Sequence, residues 1–335
     1  MTADEDGQPS GPRIGPIDRA QRRWSALGLP IAVVYKYVDD QATYLAVIVT
    51  YYALFAIFPL LLLGSSILGF VLQGDPELQK RVLDSALSQF PIIGDQFRTP
   101  EGLQGSTTAV VVGTIAALYG AIGLGSAVQN ALNIAWGVPR NSRPNPFLLR
   151  ARSLLVVTLG GLSILGLTTA SVLVSSTSVF ATFESSPLRW LARLASILIV
   201  AFLLAVLHRL GAARAPRTRK AVPGALLTAT LWHLLQIGGA LYVGRVLADA
   251  SAINQTFGVV LGLMALLFLA AVMGLLGVEL NVVLERRLWP RALLTPFTDA
   301  VSLTEADRRA YTAYAQAQRH KGFETVNVDF GDRDD

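Results

Sequence analysis

The chain alternates between long apolar blocks and shorter segments that carry most of its charge. The first block, residues 45–72, contains no Asp, Glu, Lys, Arg or His. A run of about 18 or more apolar residues is long enough to cross a bilayer as a helix, so this block predicts a membrane span. Five later blocks predict five more spans, at residues 108–128, 153–180, 191–210, 222–243 and 256–284.

This pattern predicts an all-α, multi-pass membrane protein whose transmembrane domain of six helices occupies residues 44–287. Residues 1–16 are predicted to be disordered, and residues 17–43 to form an interfacial cytoplasmic segment because Arg19, Arg22 and Arg23 surround Trp24. A short amphipathic helix is predicted at residues 77–90. The tail, residues 288–335, is predicted to be cytoplasmic, with a short helix at 304–319 capped by Thr304 and a disordered acidic end.

The distribution of basic residues predicts the orientation. If the N-terminus is cytoplasmic, 22 Lys and Arg residues fall on the inner side and 6 on the outer side, which places both termini in the cytoplasm. The formal charge of +5 therefore comes from loops and not from a nucleic-acid surface. The chain has 24 Arg against 4 Lys, a composition that indicates a bacterium and hence the bacterial cytoplasmic membrane.

Signatures of catalysis are absent from the sequence. There is no cysteine, and the three histidines, His208, His233 and His320, are far apart and form no HExxH pair. No GxxxxGK[ST] loop is present for a nucleotide. We therefore expect no enzyme activity, no metal and no cofactor.

Three groups of polar residues lie within the apolar blocks, where polar side chains are expensive and usually serve a partner or a cavity. Gln129, Asn130 and Asn133 share one face at the end of the second span, and Glu279 and Asn281 approach the end of the sixth. These five residues are candidates for a polar mouth that contacts a substrate. Hydrogen bonds between helices, and a structural ion pair for Glu279, are the alternative interpretation.

Two further features have both a functional and a structural interpretation. His233 and Gln236, in the fifth span, are candidates for a proton-linked switch or for contacts between neighbouring helices. Pro59 interrupts the hydrogen bonding of the first span, on whose cytoplasmic half Tyr51 and Tyr52 lie. This proline is a candidate hinge that gates the mouth, or a kink that fits an over-long helix into the bundle.

Several segments together resemble the YihY/BrkB family of membrane proteins, formerly labelled ribonuclease BN. The resemblance implies a six-helix fold of the cytoplasmic membrane and the transport or export of lipid-like molecules. The segments are Tyr51-Tyr52-Ala53-Leu54, Phe58-Pro59-Leu60, Gln129-Asn130-Ala131-Leu132-Asn133-Ile134-Ala135-Trp136-Gly137-Val138, Val222-Pro223-Gly224-Ala225 and Gly277-Val278-Glu279-Leu280-Asn281-Val282-Val283-Leu284-Glu285-Arg286.

Two functional hypotheses follow. The first is a transporter or exporter of a lipid or other amphiphile, for which membrane lipids are the expected partners. The second is a scaffold or envelope-integrity protein that transports nothing and recruits partners through its basic cytoplasmic face. No nucleic-acid partner is expected, and a homo-oligomer is compatible with either hypothesis.

Overall fold

The structure is a computed structural model that describes residues 15–71, 77, 107–176, 186–213, 218–242, 252–295 and 301–331. The regular elements in these ranges are helices, as the all-α prediction requires. The amphipathic helix predicted at residues 77–90 lies outside the described residues except for Glu77, and so do the predicted disordered ends, apart from residues 15 and 16.

Nine α-helices are described, of which six are long and coincide with the six predicted spans. A 3₁₀ turn at Arg140–Ser142 lies between α4 and α5. The α-helices are α1 (Pro16–Arg23), α2 (Ser25–Asp39), α3 (Ala42–Val71), α4 (Thr107–Ala135), α5 (Pro146–Ser176), α6 (Ser186–Gly211), α7 (Thr218–Tyr242), α8 (Ala252–Arg286) and α9 (Glu305–Ala317).

The six long helices form a closed ring. Going around it, α3 contacts α4, α4 contacts α5, α5 contacts α6, α6 contacts α7, α7 contacts α8, and α8 returns to α3. Contacts of α4 with α6 and α8 cross the ring, and α2 packs on α8 beside α3. Helix α8 therefore touches α2, α3, α4 and α7.

Four helices contain stretches that are long and apolar enough to cross a membrane. The stretches are Ile115–Ala135, Leu194–Gly211, Arg219–Gly239 and Gly258–Arg286. A fifth candidate is the bent pair Ala26–Asp39 and Ala42–Ile57, whose two helices meet at 66°. The described residues thus contain four or five candidate spans, while the full count of six stays a prediction.

The segments that the charge distribution assigns to one side of the membrane meet at one end of the ring. The Arg22 guanidinium donates to the carbonyl of Ser302 at 3.0 Å, which joins α1 to the tail. The Asn141 amide, between α4 and α5, donates to the carbonyl of Arg319 at 3.3 Å. The terminal segments and this loop therefore share one end, and which side of the membrane it faces stays a prediction.

The tail helix begins where the sequence predicted. Thr304 is the N-cap of α9, and its hydroxyl accepts a hydrogen bond from the amide of Asp307. The Asp307 carboxylate in turn accepts from the amide of Thr304, which completes a capping box. The helix ends at Ala317, two residues before the predicted end.

Helices α7 and α8 approach each other through two glycines. A Cβ atom added at Gly224 would lie 1.8 Å from the carbonyl oxygen of Gly277, and one added at Gly277 would lie 2.1 Å from the hydroxyl of Thr228. Neither position has room for a side chain, so the close contact of these helices depends on both glycines.

We expect Gly277→Ala to lower the melting temperature of the purified protein in detergent, because the added methyl group must push α7 away from α8. Gly274→Ala is the matched control one turn earlier on α8, where a Cβ atom would meet no heavy atom within 4 Å. Alanine favours a helix by about 1 kcal/mol over glycine, so the control should not lose stability. Equal melting temperatures for the two variants would contradict this account.

Candidate functional site

A buried group of three charged side chains, which we call the triad, lies where α2 meets α3. It consists of Lys36 on α2, Asp40 between α2 and α3, and Glu279 on α8. The Lys36 ammonium forms an ion pair with the Asp40 carboxylate and lies 3.3 Å from Oε2 of Glu279. The three side chains are 3%, 2% and 0% exposed, in that order. The triad therefore holds three ionisable groups away from water.

The local sequence places the first two members together. Lys36 and Asp40 are four residues apart, the spacing at which side chains on one helical turn meet. Lys36 also donates to the carbonyl of Ala135, 3.1 Å away, at the last residue of α4. Gln41 follows with a φ of 52°, a left-handed conformation that ends α2 and turns the chain into α3.

Helix α2 has apolar side chains on both its inner and its outer face. Ala32 and Val33 are buried beside Lys36, whereas Leu27, Val34 and Val38 point outward and are 50% to 54% exposed. Trp24, just before the helix, is 63% exposed. A helix at a water surface presents polar side chains outward, so this apolar outer face is that of a helix that meets lipid.

A second buried group, the Arg291 cluster, joins the tail to the end of α2. The Arg291 guanidinium pairs with the carboxylate of Asp39 at 2.9 Å and with that of Asp307 on α9. It also lies over the rings of Tyr35 and Tyr311, 5.8 and 5.5 Å from their centroids. Burial lowers the pKa of Arg291, but the hydrogen bond from Arg291 to Asp307 and the charges of both carboxylates outweigh this effect and raise it above its ordinary value.

Tyr314 on α9 connects the triad to the Arg291 cluster. Its ring lies 5.2 Å from the Lys36 ammonium, and its hydroxyl is 3.5 Å from Oδ2 of Asp39. Burial, followed by the negative charges of Asp40 and Asp39, raises the pKa of the Tyr314 hydroxyl above its ordinary range. Tyr314 therefore remains protonated and contributes no charge at neutral pH.

The five residues predicted to form a polar mouth are divided among separate contacts. Asn133 accepts a hydrogen bond from the amide of Ala213 at 3.0 Å. Gln129 is buried and donates to the hydroxyl of Ser153 on α5 at 2.7 Å. Asn130 is exposed and accepts from the Arg143 guanidinium at 3.0 Å. No contact described here joins these three residues to one another.

Asn281 connects α8 to the first turns of α7. Its Oδ1 accepts from the amide of Gly224 at 2.7 Å, and its Nδ2 donates to the carbonyl of Ala221 at 3.1 Å. These bonds lie on either side of Pro223, which has no amide hydrogen to donate within the helix. Gln129 and Asn133 thus make hydrogen bonds to other segments, as their alternative interpretation expects, and Asn281 makes such bonds as well; a polar mouth stays a prediction.

The partner of Glu279 differs from the one expected of a residue near the loops. Sequence reasoning favoured a loop arginine or an asparagine, and the structure places Lys36 there instead. Lys36 belongs to the segment that was predicted to be interfacial. Its side chain is buried where α2 packs on α8, and the interfacial position of the segment stays a prediction.

The remaining candidates lie elsewhere. His233 and Gln236 are half-buried on α7, and their role as a switch stays a prediction. Tyr51 faces outward and packs against Phe55 with their ring centroids 4.9 Å apart, whereas Tyr52 lies beside α4. Position 59 lies within α3, which continues to Val71; the side chain of Pro59 is outside the described part, so the hinge stays a prediction.

Sequence reasoning missed most of the charged residues that meet at this end of the ring. Lys36 interrupts an otherwise apolar segment four residues before Asp40, a spacing from which a local pair could have been predicted. Its meeting with Glu279, more than 240 positions away, has no local signal. In the described part of the chain, no three His, Asp or Glu residues lie close enough to hold a metal ion.

These features define a multi-pass helical membrane protein with a buried charge cluster at one end of its ring. The chain belongs to the family described as virulence factor BrkB, whose profile matches residues 33–297, and this confirms the resemblance stated above. The match includes the triad and Arg291 and stops before Asp307. No curated protein and no solved structure matches the chain.

Replacing Asp307 should destabilise the protein, because Arg291 then keeps only Asp39 as a carboxylate partner. Removing one partner of a buried ion pair costs about 3–5 kcal/mol. We therefore expect Asp307→Ala to lower the melting temperature in detergent strongly. Glu305→Ala is the matched control, since Glu305 is exposed in the same first turn. A melting temperature for Asp307→Ala equal to that of the control would rule out a structural role for the cluster.

The outer face of α2 should contact lipid. The chain has no cysteine, so Val34→Cys or Val38→Cys introduces a single site for a nitroxide label. In lipid nanodiscs we expect oxygen, which concentrates in the bilayer, to relax these labels more than a water-soluble nickel complex does. Phe323→Cys is the control, because Phe323 is 90% exposed in the tail. Equal access of the nickel complex to all three labels would show that α2 faces water.

Proposed function

We propose that this membrane protein transports an amphiphile with an anionic headgroup, of the phospholipid class, along the path between α2 and the ring. The single observation that carries the proposal is the 66° break between α2 and α3, with three buried ionisable groups at the break. Discontinuous helices with charged groups at the interruption are a recurring way in which transporters build binding sites.

The surroundings of the break suit an amphiphile. The outward side chains of α2 continue into those of α3, where Tyr44, Val47 and Ile48 are exposed. This surface offers an apolar strip that fits acyl chains. Arg19 and Arg23, exposed at the start of the strip, supply positive charge for a phosphate or carboxylate headgroup.

The competing hypothesis is a scaffold that recruits partners through its terminal segments. The Arg291 cluster bears on how that hypothesis is tested. A deletion of residues 295–335 would remove Asp307 and leave part of a buried charge cluster without its partner, so lost activity would reflect unfolding. Removing only residues 322–335 keeps α9 and the hydrogen bonds that Gln318 and Arg319 accept from the 3₁₀ turn. This shorter deletion is the better test of partner recruitment.

Lipid transfer can be measured in vesicles of phosphatidylethanolamine and phosphatidylglycerol that contain a trace of NBD-labelled phosphatidylglycerol. Dithionite bleaches only the outer leaflet, so transfer appears as bleaching beyond the outer half. We expect the full-length protein to increase this bleaching and the isosteric changes Glu279→Gln and Asp40→Asn to reduce its rate at least tenfold.

Glu285→Gln is the matched control, because Glu285 lies on the same helix in a partly exposed pair with Lys220. It should transfer lipid at the wild-type rate. Bleaching no greater than in empty vesicles would reject phospholipid transfer. Equal transfer rates for all the variants would show that transfer does not depend on the charged groups at the break between α2 and α3.

A further inference from the structure

The triad contains more acid than base. One ammonium group, from Lys36, faces two carboxyl groups, so full ionisation would leave a net charge of −1 in a site from which water is excluded. An uncompensated buried charge carries a penalty of several kcal/mol even after the surroundings relax. The site must therefore acquire one positive charge or lose one negative charge.

The neighbouring elements offer no spare positive charge. Helix α4 contributes the carbonyl of Ala135, and α9 contributes the neutral hydroxyl and ring of Tyr314. Arg291 already pairs with both Asp39 and Asp307, so that its cluster is itself short of positive charge, and the Arg286 guanidinium on α8 donates to the carbonyl of Trp136. Among the described residues, no ion pair brings a second cation to the triad, and a bound ligand can supply the missing positive charge.

The hydrogen bonding of Glu279 indicates what that ligand is. Apart from the Lys36 ammonium, 3.3 Å from Oε2, no N–H or O–H group among the described residues donates to a carboxylate oxygen of Glu279. The carboxyl groups of Asp40 and Glu279 both pair with the same nitrogen atom, Nζ of Lys36, so the two acids lie close together. Two carboxylates at such close range repel each other, whereas one proton bound by the pair removes this repulsion.

We propose that the triad is a proton-binding site, in which one proton shared by the carboxyl groups of Asp40 and Glu279 makes the group neutral and keeps α2 packed on α8. A metal ion fits less well, because the Lys36 ammonium already pairs with both carboxylates. Metal cations such as Ca²⁺ also require six or more oxygen ligands, and the described residues bring together no three acidic or histidine side chains for one.

Proton loss has a direct structural consequence. It leaves two carboxylates and one ammonium buried between α2 and α8. Separation of these helices admits water, which solvates the uncompensated charge. The site thus links proton release to opening of the break. In its biological meaning this inference rests on the proposed function, since the proton would supply energy for amphiphile transport, but its test needs no substrate.

The test is infrared spectroscopy of the purified full-length protein, in which a neutral carboxyl group has a C=O stretching band distinct from that of a carboxylate. At pH 7 we expect the wild type to show this band. Glu279→Gln and Asp40→Asn should each lose the intensity of one carboxyl group, because each leaves a single carboxylate to pair with Lys36. Glu285→Gln should retain the full intensity.

A pH titration of the wild type keeps the test independent of any substitution. The band should disappear in alkali as a one-proton transition, together with faster hydrogen–deuterium exchange in α2. A wild type without the band at pH 7, or a band that survives intact in both variants, overturns the inference. If the band behaves as expected while NBD-labelled lipid is not transferred, the proton site is supported and the proposed function is rejected. If lipid is transferred but the band is absent, the proposed function is supported and the proton site is rejected.

Discussion

The buried positive charge of Lys36 is the interaction on which this end of the molecule depends. It pairs with Asp40 beside the break and with Glu279 on α8, and it donates to the last carbonyl of α4. A single ammonium group thus ties three separate parts of the chain together. Because its charge is shielded from water, those attachments are hard to replace by solvent, and the position of α2 follows from them.

The Arg291 cluster extends the same principle to the tail. Asp39 and Asp307 come from segments that precede and follow the ring, respectively, and both bind one guanidinium group. The family match ends at residue 297, so α9 lies outside the matched region and yet completes a cluster that begins within it. The tail is therefore part of the folded body at least as far as α9 and not a separate appendage.

The sequence predicted the long helices well because each apolar block is a local signal. A bilayer requires about 20 consecutive apolar residues in a helix, and each predicted span coincides with a long helix. The cap at Thr304 was also predictable, since capping depends on residues within one turn. The site was predicted less well: Glu279 was singled out correctly as a residue needing a partner, but the partner was sought among loop arginines and asparagines.

By itself, the sequence determined that the chain is helical, apolar in long blocks and a member of its family. The tertiary structure decided which charges meet, because ion pairs such as Lys36 with Glu279 depend on how helices pack and not on spacing along the chain. It also decided which apolar side chains of α2 are buried and which point outward, since an apolar face alone does not reveal whether protein or lipid covers it. The break at Gln41 belongs to the same class, because a residue other than glycine holds a left-handed φ only where the surrounding structure enforces it.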